Sequence, residues 1–324
     1  MKALRVERLT ADLSGVALRS VDRPERASGE VLVRVRAASL NYPDLLMTRG
    51  GYQFKPDPPF TSGMEFAGEV LEAEPDTGFE PGDRVRGGAK TGGFAQMASV
   101  PAAGLRIVPD GIDDLTAAAM GAAYQTAYVA LVELGRLQAG QTVLVHGAGG
   151  GVGLAACDLA RALGAHVIAA TRNETKREAI EDAARPDAII TNTGRFREQV
   201  ADLTDGRLCD LVFDPVGGDV FDESTRCVAF GGSLLVVGFV SGRIPSVAAN
   251  IPLIKGFGVV GVRAGEYARR FPDRAERIAT EIDRLVLTGA VRPHVAARVP
   301  LDEWRSAFER MAAGNVVGKI VIEP

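Results

Sequence analysis

Hydrophobic and polar positions change their rhythm along the chain. From Glu30 to Ala38 (EVLVRVRAA) apolar residues alternate with charged ones, the period-two pattern of a half-buried strand. Phe66 to Leu71 (FAGEVL) is a second run of this kind. Turn signals are dense around them: Pro58-Pro59, Glu80-Pro81-Gly82-Asp83, Gly87-Gly88 and Gly92-Gly93. Short strands between Gly and Pro turns predict a β-rich barrel or sandwich for the first third.

The middle third has a different pattern. Thr142 to His146 (TVLVH) is a short β-branched run, followed by a glycine-rich turn and the helix-prone stretch Leu154 to Leu163, which Gly164 stops. His166 to Ala170 (HVIAA), Asp187 to Thr191 (DAIIT), Leu208 to Phe213 and Ser233 to Gly238 (SLLVVG) repeat the strand pattern. Strands alternating with helices predict βαβ units and a parallel sheet, so the overall class is α/β. In the tail, Arg274 to Leu287 reads as an amphipathic helix, and Trp304, Phe308 and Met311 share one helical face suited to core packing. Lys319 to Ile322 (KIVI) reads as a strand that rejoins the first domain.

Composition narrows the class. A chain of 324 residues, 46% hydrophobic and 24% charged, suits two packed domains. The net charge of -4 argues against a nucleic-acid partner. The three cysteines, Cys157, Cys209 and Cys227, form no C-x-x-C pair, so a reducing, cytoplasmic setting is expected. The charged start has no signal-peptide core, and no apolar run approaches the roughly 20 residues that span a bilayer, so no membrane partner is expected.

The clearest chemical signal is His146-Gly147-Ala148-Gly149-Gly150-Gly151-Val152-Gly153. It stands in a strand–turn–helix–strand context, which separates a dinucleotide site from a chance glycine cluster. Glycines let the backbone turn tightly and approach a diphosphate, while a helix opening at Gly151 or Val152 aims free N–H groups at it. An NAD-selecting carboxylate sits roughly twenty residues past such a turn, where it accepts the ribose 2′-OH. Here that position is Thr171, followed by Arg172 and, after Asn173-Glu174-Thr175, by Lys176. The missing acid and the two cations predict NADPH, whose 2′-phosphate they would pair with. The competing reading makes both cations a solvated helix start.

Several motifs together resemble the zinc-independent quinone oxidoreductase branch of the medium-chain dehydrogenase/reductase superfamily. They are Asn41-Tyr42-Pro43-Asp44, Gly63-Met64-Glu65-Phe66-Ala67-Gly68, Pro81-Gly82-Asp83-Arg84-Val85, the glycine turn, Asp210 to Gly218, Val237-Gly238-Phe239, Leu253-Ile254-Lys255 and Gly318-Lys319-Ile320-Val321. The resemblance implies a GroES-like catalytic domain made from both chain ends, around a Rossmann doubly wound sheet, with the active site in a cleft between them. The boundaries expected are 1–119 for the first catalytic part, 120–263 for the Rossmann part and 264–324 for the return. It also implies homodimers that pair through a sheet edge, for which Gly258 to Val262 is the candidate strand.

Departures from that pattern matter as much. Zinc-dependent relatives place Cys where Asn41 stands and His where Met64 stands, and they carry a four-cysteine lobe. Without such partners Asp44 and Glu65 do not make a zinc site, so no metal is expected. The three histidines, His146, His166 and His294, read as structural. Relatives often have Tyr near Asn192 and Trp where Arg263 stands.

By resemblance the nicotinamide lies near Thr126 and Phe239, and Val216 joins Gly150, Gly151, Val152 and Gly153 in lining the cofactor site. Asn41 is a candidate to hydrogen-bond the nicotinamide ribose or the substrate oxygen. Tyr42 and Tyr52 are candidate walls or donors for a flat, oxygen-bearing substrate; core packing for Tyr42 and a surface role for Tyr52 stay open. Asp44 reads as a cap for its loop rather than a proton donor. The expected activity is hydride transfer from NADPH to a quinone or α,β-unsaturated carbonyl. An enoyl-CoA-type reductase and a non-catalytic NADPH-binding protein are the alternatives. If the cations select the cofactor, Arg172→Ala raises the KM for NADPH far more than for NADH; an unchanged preference in steady-state kinetics overturns the assignment.

Overall fold

The computed structural model describes residues 1–324, in two units. The first joins Met1–Gly121 to Pro293–Pro324, and the second is Ala122–Arg292.

In chain order the first unit has β1 (Lys2–Val6), β2 (Val16–Ser20), β3 (Glu30–Leu40), α1 (Tyr42–Thr48), β4 (Phe60–Thr61), β5 (Glu65–Glu72), β6 (Arg84–Gly87), β7 (Met97–Pro101) and β8 (Leu105–Ile107). The helix α2 (Asp114–Tyr128) begins in this unit and ends in the next. The second unit has β9 (Thr142–His146), α3 (Gly151–Ala162), β10 (His166–Thr171), α4 (Arg177–Ala184), β11 (Ala188–Thr191), α5 (Arg197–Leu203) and β12 (Cys209–Asp214). It continues with α6 (Gly218–Ser224), β13 (Val228–Val236), α7 (Asn250–Lys255), β14 (Gly258–Gly261), α8 (Ala264–Arg270) and α9 (Pro272–Leu287). The chain then returns to the first unit through β15 (Val295–Pro300), α10 (Trp304–Ala312) and β16 (Lys319–Glu323).

The first unit's large sheet runs β15-β16-β3-β5-β6-β8, with β7 also paired to β3. The strand β3 follows its sequence pattern only in part. Arg34 and Arg36 face out between buried Val33 and Val35, but every residue from Ala37 to Leu40 is buried. A register shift between Val35 and Ala37 breaks the alternation there. Beyond it β5 and β16 flank the strand, pairing Glu65 with Ser39 and Ile320 with Leu40. The stripe on α10 packs as predicted. Trp304 meets Phe308 edge to face at 5.7 Å and Phe308 meets Phe94 at 6.0 Å, each such pair adding about 1 kcal/mol beyond area burial.

The second unit is the doubly wound parallel sheet that the middle of the chain predicts, in the order β11-β10-β9-β12-β13-β14. The chain starts in the middle at β9, builds outward one way and then the other, so the winding direction switches between β9 and β12. The candidate edge strand is at the edge, as β14. The sequence expectation opened the second unit at 120 and ended it at Arg263; the structure opens it at Ala122 and keeps Ala264–Arg292 with it. Hydrogen bonds within the unit explain the retention. Tyr267 donates its hydroxyl to Glu133 at 2.5 Å, and the Arg292 N–H donates to the buried Asp158 at 2.6 Å. Tyr124 donates to the same carboxylate at 2.6 Å.

The expectation that no apolar run approaches a membrane span also needs correction. Continued by the π-helical turn Val129–Leu134, α2 is helical over 21 residues, Asp114–Leu134, long and apolar enough by length and composition to cross a bilayer. Its small residues, Ala117, Ala118, Ala119, Ala123 and Ala127, are buried against protein, which is how a core helix passes the same test.

A buried polar chain links three elements of the second unit. Ser224 donates its hydroxyl to the Val220 carbonyl at 2.6 Å, so the His146 Nε2–H must donate to Ser224 Oγ, at 2.8 Å. The Nδ1 atom is then the acceptor for the Asn192 amide at 3.0 Å. Burial pushes the imidazole down to about 3, and Phe196 closes over it edge to face. The unfolded imidazole binds its proton near 6.5 and the folded one only near 3. Within that window the unfolded chain holds more protons, so stability falls as the pH drops from about 6.5 towards 3. We expect His146→Gln to lower the urea midpoint at pH 7 and to flatten its fall between about pH 6.5 and 5. An acid slope equal to wild type would show that His146 is not the group responsible.

Candidate functional site

The glycine turn closes as its sequence implies. Gly147 takes φ +60°, and the Gly150 N–H donates back to the Gly147 carbonyl at 2.8 Å. A Cβ on Gly153 would stand 2.2 Å from the Gly147 oxygen, so only glycine lets the first turn of α3 press onto the end of β9. The cap residue Gly150 has no side chain, and the first N–H bonded inside the helix is that of Leu154, to Gly150 at 2.8 Å. The amides of Gly151, Val152 and Gly153 thus have no acceptor within the helix, at its positive end.

The end of β10 lies beside this turn because the two strands pair in parallel, Ala170 opposite His146. Thr171 is buried, and its hydroxyl accepts the Asn173 N–H at 3.2 Å. Asn173 in turn accepts the Thr175 N–H at 3.0 Å, closing the short helical turn Glu174–Lys176. Arg172 projects into solvent and Lys176 is half-buried. Partial burial holds the Lys176 ammonium below its usual range, and the nearby Arg172 guanidinium lowers it further. Two cations set together in this way suit a dianion such as a phosphate.

The loop after β12 completes this region. Asp214 is fully buried and accepts the N–H groups of Val216 and Gly217 at 2.8 and 3.0 Å, which folds the loop towards the glycine turn. A Cβ on Gly147 would lie 3.5 Å from Val216, and one on Gly217 would lie 2.9 Å from Phe239. Gly150, Gly151, Val152, Gly153, Thr171, Arg172, Lys176, Val216 and Phe239 therefore all sit at the carboxyl ends of the parallel strands, at the strand end, on the loops or in the first turn of α3, the usual place for a dinucleotide in such a sheet. Thr126 stands apart on α2, its hydroxyl donating to the Ala122 carbonyl at 2.7 Å and leaving only the oxygen's acceptor side free.

In the first unit Asn41 precedes α1, and its backbone N–H donates to Asp44 at 2.8 Å. That bond is the capping role read for Asp44. Burial pushes the Asp44 carboxyl up to about 7, against the opposing pull of this hydrogen bond and of Lys319. The Asn41 side chain is held on both sides. Its Oδ1 accepts the Lys319 ammonium at 2.7 Å, and its Nδ2 donates to the Ser39 carbonyl at 3.3 Å. Lys319 also donates to Glu65 at 3.0 Å, and all three side chains are buried. Tyr42, the first residue of α1, and Tyr52, in the loop beyond it, are half-buried and pack against the first unit's core. Both open readings survive for each, since a packed ring still leaves its hydroxyl a polar handle.

Sequence reasoning missed Lys319 as a site residue and read it only as the start of a strand. Its partner Asn41 is 278 positions away, so no spacing rule reveals the pair. The available signal was a lysine opening an apolar strand at the chain end. The brace made by Asp214 was missed too, although an Asp just before Pro215-Val216-Gly217-Gly218 is a turn signal. Asn192 points inward to His146 rather than standing in for a cofactor contact. No group of three or more His, Cys, Asp or Glu side chains converges in a metal-binding arrangement.

Comparison with known proteins agrees with this architecture. Residues 27–110 match the alcohol dehydrogenase GroES-like domain, and residues 151–280 match the zinc-binding dehydrogenase family. A quinone oxidoreductase-like protein 2 homolog of Nematostella vectensis is 35% identical over 299 residues, covering 91% of this chain and 82% of the relative. Among solved structures, a probable oxidoreductase from Mycobacterium abscessus is 36% identical with TM-score 0.91, covering 100% of this chain and 99% of that one. A mycobacterial protein complexed with NADPH is 27% identical with TM-score 0.92, each chain fully covered. The chain therefore belongs to the quinone oxidoreductase branch of the medium-chain dehydrogenase/reductase superfamily, with a GroES-like domain and a Rossmann domain.

Proposed function

We propose that the protein is an NADPH-dependent reductase of quinones or α,β-unsaturated carbonyls. The observation that carries this reading is the uncovered amino end of α3 beside the paired cations Arg172 and Lys176, with no acid at the end of β10. The NADPH complex of the mycobacterial relative supports the same cofactor. The naming of the Nematostella relative supports the substrate class.

Each group has a defined task. The amides of Gly151, Val152 and Gly153 bind the diphosphate, and Arg172 with Lys176 binds the 2′-phosphate. Thr126 offers its oxygen as acceptor for a carboxamide N–H, because its own proton is already placed. When bound, NADPH supplies the hydride. Asn41 donates its remaining amide N–H to the substrate oxygen, where negative charge grows as the carbonyl is reduced. Tyr52 presents a ring edge and a phenol to a flat acceptor. Solvent water provides the proton that completes the product.

This chemistry runs without zinc in our reading. A catalytic zinc takes about three N, S or O ligands, whereas the Asn41 amide oxygen and one Glu65 oxygen already accept the Lys319 ammonium. We also place the protein in the cytoplasm as a homodimer. The three thiols are buried and unpaired, which suits a reducing compartment. The edge strand β14 leaves one side unpaired, and Phe230, Leu253 and Ile254 are exposed large apolar side chains, with Phe230 against Gly256 just ahead of that strand.

The activity is tested by loss of NADPH absorbance against benzoquinone, naphthoquinone, a 2-alkenal and crotonyl-CoA. We expect turnover with a quinone or the alkenal, and a fall of more than about twofold in kcat/KM for Asn41→Ala or Tyr52→Phe. Turnover of crotonyl-CoA alone would favour an acyl-CoA substrate, and silence with tight NADPH binding would favour a binding protein. For the assembly, light scattering should give twice the 34.1 kDa chain mass, and Leu253→Glu should shift it towards the monomer; a wild-type monomer overturns the dimer.

A further inference from the structure

The Lys319–Asn41 contact determines more than the shape of a loop. An ammonium has only donors, so the Asn41 atom 2.7 Å from it must be the carbonyl oxygen. That contact settles which way the amide faces. The amide oxygen is occupied, one Nδ2 proton goes to the Ser39 carbonyl at 3.3 Å, and the second has no acceptor in the chain. Asn41 therefore meets any ligand as a donor.

The anchor is built from distant parts of the chain. Glu65 supplies the counter-charge that a buried ammonium requires, at 3.0 Å. The pairing of Ser39 with Glu65 and of Leu40 with Ile320 sets both partners level with Asn41. The positive charge on the oxygen side also polarises the amide, which strengthens the N–H on its other end.

We propose that Lys319, held by Glu65, is the positioning residue that fixes Asn41 as a hydrogen-bond donor to the oxygen of the reacting carbonyl. This rests on the reductase reading of Asn41 given above. Lys319 acts through Asn41 and need not touch the substrate. If so, its removal costs activity only while Asn41 is there to be oriented.

The experiment is a double-mutant cycle on the full-length protein, read in kcat/KM for a quinone. Asn41→Ala and Lys319→Met should each lower it about tenfold, and the double variant should be no worse than Asn41→Ala alone. The NADPH-free protein gives a second readout by NMR. The Asn41 side-chain amide signal, identified by its loss in Asn41→Ala, should move in Lys319→Met and broaden as the amide is freed. A Lys319→Met penalty of the same size in the Asn41→Ala background overturns the inference while leaving the reductase reading intact. An unmoved Asn41 signal overturns it as well. A wild-type rate for Asn41→Ala removes the reductase role of Asn41, and this inference with it. Lys319→Met removes the cation that faces the buried Glu65; if that variant does not fold, Glu65→Gln is added to every corner of the cycle and the same comparison is made.

Discussion

The first unit depends on where the chain's last strand pairs. The strand β16 enters the sheet between β15 and β3, so residues from the two ends of the sequence become neighbours within one core. Only this register sets a lysine beside Asn41 and a glutamate within reach of both. A one-residue slip of β16 would turn Lys319 to the opposite face and take from Glu65 the ammonium it binds. The hydrophobic burial of Ile320, Val321 and Ile322 thus also sets the electrostatics of the site.

The second unit follows a different rule, close approach of backbone. At Gly153 and Gly147 the helix and the strand end touch without side chains between them, and the amino end of α3 stays open. Asp214 does for the neighbouring loop what the glycines do for the first, by accepting two backbone amides and bending the chain inward. Both devices work on main-chain groups. They suit the recognition of the diphosphate, which every dinucleotide carries, and do not depend on the rest of the ligand.

Local features were legible in the sequence wherever the physics is local. The strand β3, the strand–turn–helix at Gly147 to Gly153 and the stripe of Trp304, Phe308 and Met311 rest on periods of a few residues; the structure contains all three, although β3 alternates only around Arg34 and Arg36. The second-unit boundary was not legible, because Tyr267 and Arg292 are bound to that unit by Glu133 and Asp158, over a hundred positions earlier. The burial of α2 was hidden for a related reason: alanines read the same against protein as against lipid. His146 could be read as structural, but its tautomer could not, since that follows from the Ser224 proton and its carbonyl acceptor.

The inward commitment of Asn192 has an evolutionary consequence. Because that side chain is engaged with His146 in the core, the discrimination we propose for the adenosine half would rest on the turn at Arg172 and Lys176. That turn lies on the surface, where substitutions away from special features usually cost little stability. On that proposal cofactor preference could drift by changes at the exposed Arg172 and the half-buried Lys176. Changes at Asn192 would disturb the buried chain and be purged by selection for folding.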